Sequence, residues 1–241
     1  MLVKSQVKYI QSLSQKRQRD QDSVFVAEGP KIINELLSAP NVQVRQLFAV
    51  AGWLRQQPVT PAAEITEVDE KELERLSFMQ TPNQVVGIFS KPVFPVQPVT
   101  LCLGLDTIQD PGNMGTIIRC ADWFGITTII AGKDCTDVFS PKVVQSTMGS
   151  ISRVQIVYEE LATFLQENPS LEVYAAALNG TPLHKVSTIT GGMIVIGNES
   201  KGISDAVLSK ARHRITIPRK GAAESLNAAV ATGIILSHLV G

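Results

Sequence analysis

The 241-residue sequence predicts an α/β protein: a small α/β domain at the N-terminus and, after it, a domain built on a largely parallel sheet. Three observations carry this reading. Beyond residue 100, six apolar, β-rich runs recur: TLCLGLD (100–106), TTIIAG (127–132), RVQIVY (153–158), LEVYAAAL (171–178), GMIVIG (192–197) and HRITIP (213–218), with helix-length segments between most of them. Their apolar character is continuous rather than alternating, as expected of strands covered on both faces. Finally, SKPVFPVQPV (90–99) places proline at 92, 95 and 98, a stiff extended spacing that no helix accepts and that suits a linker.

The linker divides the chain at about residue 95, giving domains 1–95 and 96–241. In the first, VRQLFAV, AAEITEV and QVVGIF read as short strands, separated by helical stretches such as KIINELL and EKELERL. In EGP (28–30), Pro30 suits the first position of a helix.

Composition excludes several classes. Hydrophobic content of 44% and charge of 18% are those of a globular protein. The apolar runs are too short or too interrupted to span a bilayer, and MLVKSQVKYIQSLSQKRQRD lacks the apolar core of a secretory signal, so a cytoplasmic protein without membrane contact is expected. Cys102, Cys120 and Cys135 form no CxxC and the three histidines stand singly, which supports neither a disulfide framework nor a metal site. Lys+Arg of 22 balances Asp+Glu of 22, yet two stretches are purely basic: Lys4, Lys8, Lys16, Arg17 and Arg19 in 1–19, and Lys210, Arg212, Arg214, Arg219 and Lys220 in 210–220. Such patches can take phosphates even on a neutral protein, or can be ordinary solvated surface.

In parallel sheets ligands sit off the carboxyl ends of the strands. Three loops in that position stand out. In DTIQDPGNMGTIIRCADWFG (106–125), Asp110-Pro111-Gly112 forms a turn, Asn113 can cap the helix that follows, and Arg119 lies less than two turns along it. A cap with a surface arginine describes this stretch as well as a site does. In VIGNESKGIS (195–204) a buried strand stops at Gly197 and gives way to polar residues including Glu199, and glycines there allow close approach to the main chain. In IPRKGAAESLNAAVATGIIL (217–236), Ser225 or Asn227 can cap a last helix with hardly any charge, which must bury its surface in its own core or against a second copy. Neither a GxGxxG nor a GK[ST] phosphate loop is present, which speaks against a nicotinamide-dependent dehydrogenase.

Taken together and in this order, QDPGNMGTIIRCADWFG, VIGNESKGIS and IPRKGAAESLNAAVATGIIL resemble the three motifs of the SpoU (TrmH) family of RNA ribose 2′-O-methyltransferases, within the SPOUT superfamily. KYIQSLSQKRQRDQDSVFVAEGPKII and TPNQVVGIF are similar to the L30e-like substrate-binding domain common in front of that catalytic domain. The resemblance implies S-adenosylmethionine as cofactor, a homodimer, and a deep trefoil knot that holds the cofactor through main-chain groups around Leu178, Asn179, Gly197, Ile217 and Leu226. It implies that Arg119 is the residue most closely tied to catalysis, serving its own cofactor pocket or that of the other subunit, with Asn113, Glu199, Ser225 and Asn227 around it. Lys16, Arg17 and Arg19 become candidates for RNA phosphate contacts. Arg219 and Lys220 stand where less basic residues are common in the family. Ribosomal RNA is the expected substrate, with transfer RNA, or a noncatalytic RNA-binding role on the same fold, as alternatives.

Overall fold

A computed structural model of the chain describes residues 2–57, 64–96 and 100–240. Ala62, Ala63 and Pro98, which belong to an expected strand and to the expected linker, lie outside the described residues. The chain divides into two compact units, one of residues 1–95 with 137–152, the other of residues 96–136 with 153–241.

Among its described residues, the first unit has helices α1 (Lys4–Ser12), α2 (Lys16–Asp22), α3 (Pro30–Leu37), α4 (Ala51–Leu54) and α5 (Glu70–Glu74) around strands β1 (Val24–Glu28), β2 (Val44–Ala49), β3 (Glu64–Glu67) and β4 (Val85–Ser90). The strands form a mixed sheet in the order β1-β4-β2-β3, with β4 antiparallel to both β1 and β2, and β3 parallel to β2. Both faces are covered. Val24, Val26, Phe48 and Ile88 pack with Ile10, Leu13, Leu73 and Leu76, whereas Phe25, Leu47 and Phe89 pack with Ile33 and Leu36. Strand β1 is buried at every position for this reason, and its apolar run VFVAE sits between helices in the sequence without an alternating pattern to announce it. Gly29 caps α3 with φ of 83°, Pro30 is the first helical residue as expected, and Glu28 is the last residue of β1. Burial pushes the Glu28 carboxyl above its usual range, although Ser77 Oγ and the Phe78 N–H donate to it.

Residues 137–152 complete this core. They lie in sequence beyond the proline linker and include helix α7 (Pro141–Thr147). Val144 and Ile151 are fully buried against Phe25, Ile33 and Leu47, and the Phe139 ring lies 5.5 Å from that of Phe25. Gly149, at φ of 96°, passes so close to α3 that a Cβ there would stand 2.8 Å from Glu35 Cβ. The division at residue 95 read from the prolines made no provision for this segment.

The second unit contains β5 (Leu101–Asp106), α6 (Pro111–Trp123), β6 (Thr128–Gly132), β7 (Gln155–Glu159), α8 (Leu161–Glu167), β8 (Val173–Pro182), β9 (Gly192–Gly197), α9 (Asp205–Leu208), β10 (His213–Thr216) and α10 (Ala228–Leu239). The six strands are all parallel, in the order β10-β8-β9-β5-β6-β7, and they coincide with the six apolar runs of the sequence. Leu161 and Leu165 of α8 and Val207 of α9 cover one set of side chains, including Cys102, Val173, Met193 and Val195. Helix α10 packs against α6.

Arg19 departs from its expected role. It is 2% exposed, its Nη1 donates to the carbonyls of Leu13 (2.6 Å) and Ser14 (2.7 Å), and its Nη2 donates to Asp137. A guanidinium held this way fixes segment 137–152 to the α1–α2 turn and offers no fork to a phosphate. Removing one partner of a buried pair leaves an uncompensated charge. Asp137→Ala is therefore expected to cost about 3 kcal/mol in denaturant unfolding of the full chain, the low end for such losses because two carbonyls still hold Arg19. Arg19→Met combined with Asp137→Ala should recover much of that loss, and an Asp137→Ala protein as stable as the parent would refute the assignment.

Candidate active site

Strands β5 and β9 pair in a register that sets Asp106 beside Gly197, so the loops that follow leave the sheet side by side. Two hydrogen bonds tie them, and two more brace the second loop. Asn198 Nδ2 donates to the Thr107 carbonyl (3.0 Å), its Oδ1 accepts from the N–H groups of Ser200 (2.9 Å) and Lys201 (3.1 Å), and the Ser204 N–H donates to Asp106 Oδ2 (2.7 Å). Thr107 takes φ of 61°, a left-handed conformation that a β-branched residue adopts only when its surroundings require it. A Cβ on Gly197 would stand 2.4 Å from the Gly202 carbonyl carbon, because Asn198 and Gly202 bond to each other in a narrow bridge. The loop's own return therefore demands a glycine at 197, the position expected to lie beside the cofactor.

Helix α6 begins at Pro111, and its cap is Asp110, whose Oδ1 accepts from the Asn113 N–H (2.8 Å). Asn113 itself is not the cap, contrary to expectation, and its side chain is free for longer-range work. Its Nδ2 donates to Glu199 Oε1 and its Oδ1 accepts from Asn227 Nδ2 (2.7 Å). Asn227 caps α10, as one of the two residues expected to, through Oδ1, which accepts from the N–H groups of Ala229 (3.0 Å) and Val230 (3.2 Å). One continuous chain of side-chain hydrogen bonds thus joins the three loops singled out in the sequence.

Arg119 is exposed on the helix that carries Asn113, and among the described residues no hydrogen bond or ion pair holds its guanidinium. Ser225 is exposed two residues before Asn227 and is not part of the network. Lys16 and Arg17 are exposed at the start of α2 in the first unit.

The residues expected around a cofactor fall on strand ends of the second unit. Between Arg214 and Ile215 the partner of β10 jumps from Ala175 to Thr181, so residues 176–180 bulge out of β8. Leu178 and Asn179 are exposed in that bulge, and the Leu178 carbonyl accepts from Thr216 Oγ1 (3.1 Å). Ile217 is half-buried, Leu226 is exposed, and all of residues 218–227 lie at the surface. Among the described residues the N–H groups of 219–226 have no hydrogen-bond partner, a donor set that suits an adenine edge and a carboxylate. The donors fit S-adenosylmethionine, as do the apolar side chains of Leu178, Ile217 and Leu226.

Sequence reasoning missed Asp106, Asp110 and Asn198. Asp110 ahead of Pro111, and Asn198 at the end of an apolar strand, carry a local signal, since both residue types bond to main chain a few positions on. Asp106 carries none, because its partner Ser204 is remote in sequence.

The chain is similar to known proteins over nearly its whole length. Residues 4–87 match the model of the MRM3-like substrate binding domain. The 23S rRNA (guanosine(2553)-2′-O)-methyltransferase RlmP of Bacillus subtilis is 29% identical over 98% of this chain and 96% of its own. A TrmH-family protein from Porphyromonas gingivalis superposes with a TM-score of 0.87 at 38% identity, covering 99% of this chain and 98% of that one. An AdoMet-bound rRNA methyltransferase from Sinorhizobium meliloti does so at 0.85 and 31%, covering 99% and 95%. The SpoU rRNA Methylase model matches residues 100–237, a span that takes in all three loops and more than half of the sequence, and the chain belongs to that family.

Proposed function

We propose that this protein transfers a methyl group from S-adenosylmethionine to a ribose 2′-hydroxyl of ribosomal RNA. The observation that carries the reading is the Glu199–Asn113–Asn227 chain of hydrogen bonds, which holds three strand-end loops together and leaves Arg119 free on the helix bearing Asn113. Ribosomal RNA is preferred to transfer RNA because residues 4–87 match a substrate-binding domain type and the rRNA-methylating relative from Bacillus subtilis spans nearly the whole chain. Lys16 and Arg17 serve as phosphate contacts of that domain. The connection from β9 to β10 passes across β8, and the chain then returns to pack α10 on α6, a path that supports the family's trefoil knot. No helix among the described residues is long and apolar enough to cross a membrane, and we place the reaction in the cytoplasm.

When bound, the cofactor supplies an already activated methyl group, so the protein's task is chiefly to position the ribose oxygen and handle its proton. Leu178, Ile217 and Leu226, with the N–H groups of 219–226 that have no partner among the described residues, would hold the cofactor. A guanidinium is a very poor base, so Arg119 orients the flanking phosphate and stabilises the charge that develops on the 2′ oxygen while the proton leaves to phosphate or water. Asn113, Glu199 and Asn227 fix the loops, and Ser225 faces the ribose.

The active form is a homodimer. Buried positions of α10, such as Thr232, Ile235, Leu236 and Leu239, account for one side of that helix, but Val230 (52% exposed) and Ile234 (40% exposed) form a stripe on the other, with Leu226 and Trp123 (85% exposed) also uncovered. A second copy covers this surface.

The direct test is methyl transfer from labelled S-adenosylmethionine to unmodified ribosomal RNA, with transfer RNA in parallel. Label at a ribose 2′ oxygen of ribosomal RNA is expected, and label confined to transfer RNA would overturn the substrate assignment. Arg119→Lys keeps the charge and loses the fork, so kcat should fall about 100-fold with cofactor affinity unchanged. For Asn227, two variants separate capping from positioning. Asn227→Ala should lose about 1 kcal/mol of stability along with activity, while Asn227→Asp keeps the cap but cannot donate to Asn113, and should lose activity about tenfold at unchanged Tm. Ile234→Glu should give a monomer by sedimentation, with native circular dichroism because the position is exposed.

A further inference from the structure

The basic stretch 210–220 splits into two parts of different character. At the start of β10, Arg212 and His213 are committed, while Lys210 and Arg214 are exposed and, among the described residues, form no ion pair. Arg212 donates through Nη2 to the Pro169 carbonyl (2.9 Å) and through Nη1 to Glu172, whose other oxygen lies 2.9 Å from His213 Nε2. The His213 ring stacks on Tyr174 at 4.6 Å. One carboxylate thus occupies both residues, and this end of the stretch serves the sheet edge.

Past β10 the next two cations sit on the loop that leads to α10 and the site. Arg219 and Lys220 are exposed and, among the described residues, neither faces a carboxylate. Arg219 uses one N–H on the carbonyl of Ala223 (3.2 Å), closing a turn within the loop, and keeps its other donors. Among the described residues, Lys220 makes no hydrogen bond or ion pair. Both belong to the exposed segment 218–227, which also carries Ser225 and Asn227, and Asn227 is pinned to Asn113. The loop is therefore anchored at its far end to the reacting site and carries two uncompensated cations at its near end, with Glu224 its one acidic residue. Cations left unpaired beside a site that receives RNA gain most from backbone phosphates, which are the densest anionic groups such a substrate offers.

We propose that Arg219 and Lys220 form a phosphate-binding rim that grips the RNA backbone flanking the target ribose. The proposal rests on the RNA-methylating function above. Its energetic contribution is electrostatic and independent of base sequence, so it sets how tightly RNA is held rather than which base is read. The Arg219–Ala223 bond keeps the rim in place when the phosphate arrives, and Lys220 adds a point charge beside that fork.

The test is filter binding of unmodified ribosomal RNA transcribed in vitro to the full-length protein across a salt series, with cofactor affinity measured alongside by calorimetry. Arg219→Gln with Lys220→Gln should weaken RNA binding about tenfold or more at low salt and reduce the slope of log affinity against log salt by about 1.5, at 0.7 to 0.9 per phosphate contact. The charge-preserving pair Arg219→Lys with Lys220→Arg should restore most of the slope. An unchanged slope in the Gln pair would overturn the proposal. So would a loss of S-adenosylmethionine affinity, which would reassign these cations to the cofactor's carboxylate. Binding is read without turnover, so an RNA that binds with the full slope but accepts no methyl group would count against the proposed reaction and leave the rim standing.

Discussion

The carboxamide of Asn113 is the joint on which the site depends. The amide turns its nitrogen toward a Glu199 oxygen, which accepts, and its own oxygen toward Asn227, which donates. Asn227 must then present its own nitrogen to Asn113 and its oxygen to the first N–H groups of α10, which need an acceptor in any case. Each amide has one orientation consistent with its neighbours, and the polarity of the chain runs without conflict from a carboxylate to a helix terminus. Glutamine in place of Asn113 would lengthen the joint, and aspartate would set two acceptors against each other.

That joint exists because other residues take over local duties. Asp110 caps α6, which frees Asn113, and Asn198 binds the turn at 200–201, which frees Glu199 from stabilising its own loop. The Asp106–Ser204 bond and the Asn198–Gly202 bridge then hold the second loop against the end of β5. With its helix anchored at Asp110 and Asn113, Arg119 has its backbone fixed while its side chain remains free. This suits a group that must meet a flexible polyanion: the anchor point is rigid and the fork adjusts.

Much of the fold was legible in the sequence because it is local. Continuous apolar runs predicted all six strands of the second unit, and the small polar residues before an apolar stretch narrowed the cap of the last helix to Ser225 or Asn227, of which the structure uses Asn227. What was hidden depends on distant partners. Strand β1 looks like one more apolar run until both faces of its sheet are known to be covered. Arg19 reads as a surface cation in a basic patch, and only Asp137, more than a hundred residues on, makes it internal. The bulge at 176–180 breaks no propensity rule and appears only once Thr181 is seen to pair with Ile215. At the site, residue identities were readable but not the division of labour, since Asp110 and Asn113 are both competent caps and only the presence of Glu199 and Asn227 decides between them.

The same network bears on the chemistry. Glu199 is the carboxylate tied to the three loops, yet one of its oxygens is held by Asn113, whose opposite end is itself held by Asn227. Glu199 Oε1 is thus engaged in holding the loops, whereas its other oxygen has no hydrogen bond among the described residues. Arg119, for its part, has no lone pair to offer at neutral pH. For the proposed reaction, alignment of the 2′ oxygen and charge stabilisation at it would supply the acceleration, which is sufficient when the methyl donor arrives already activated.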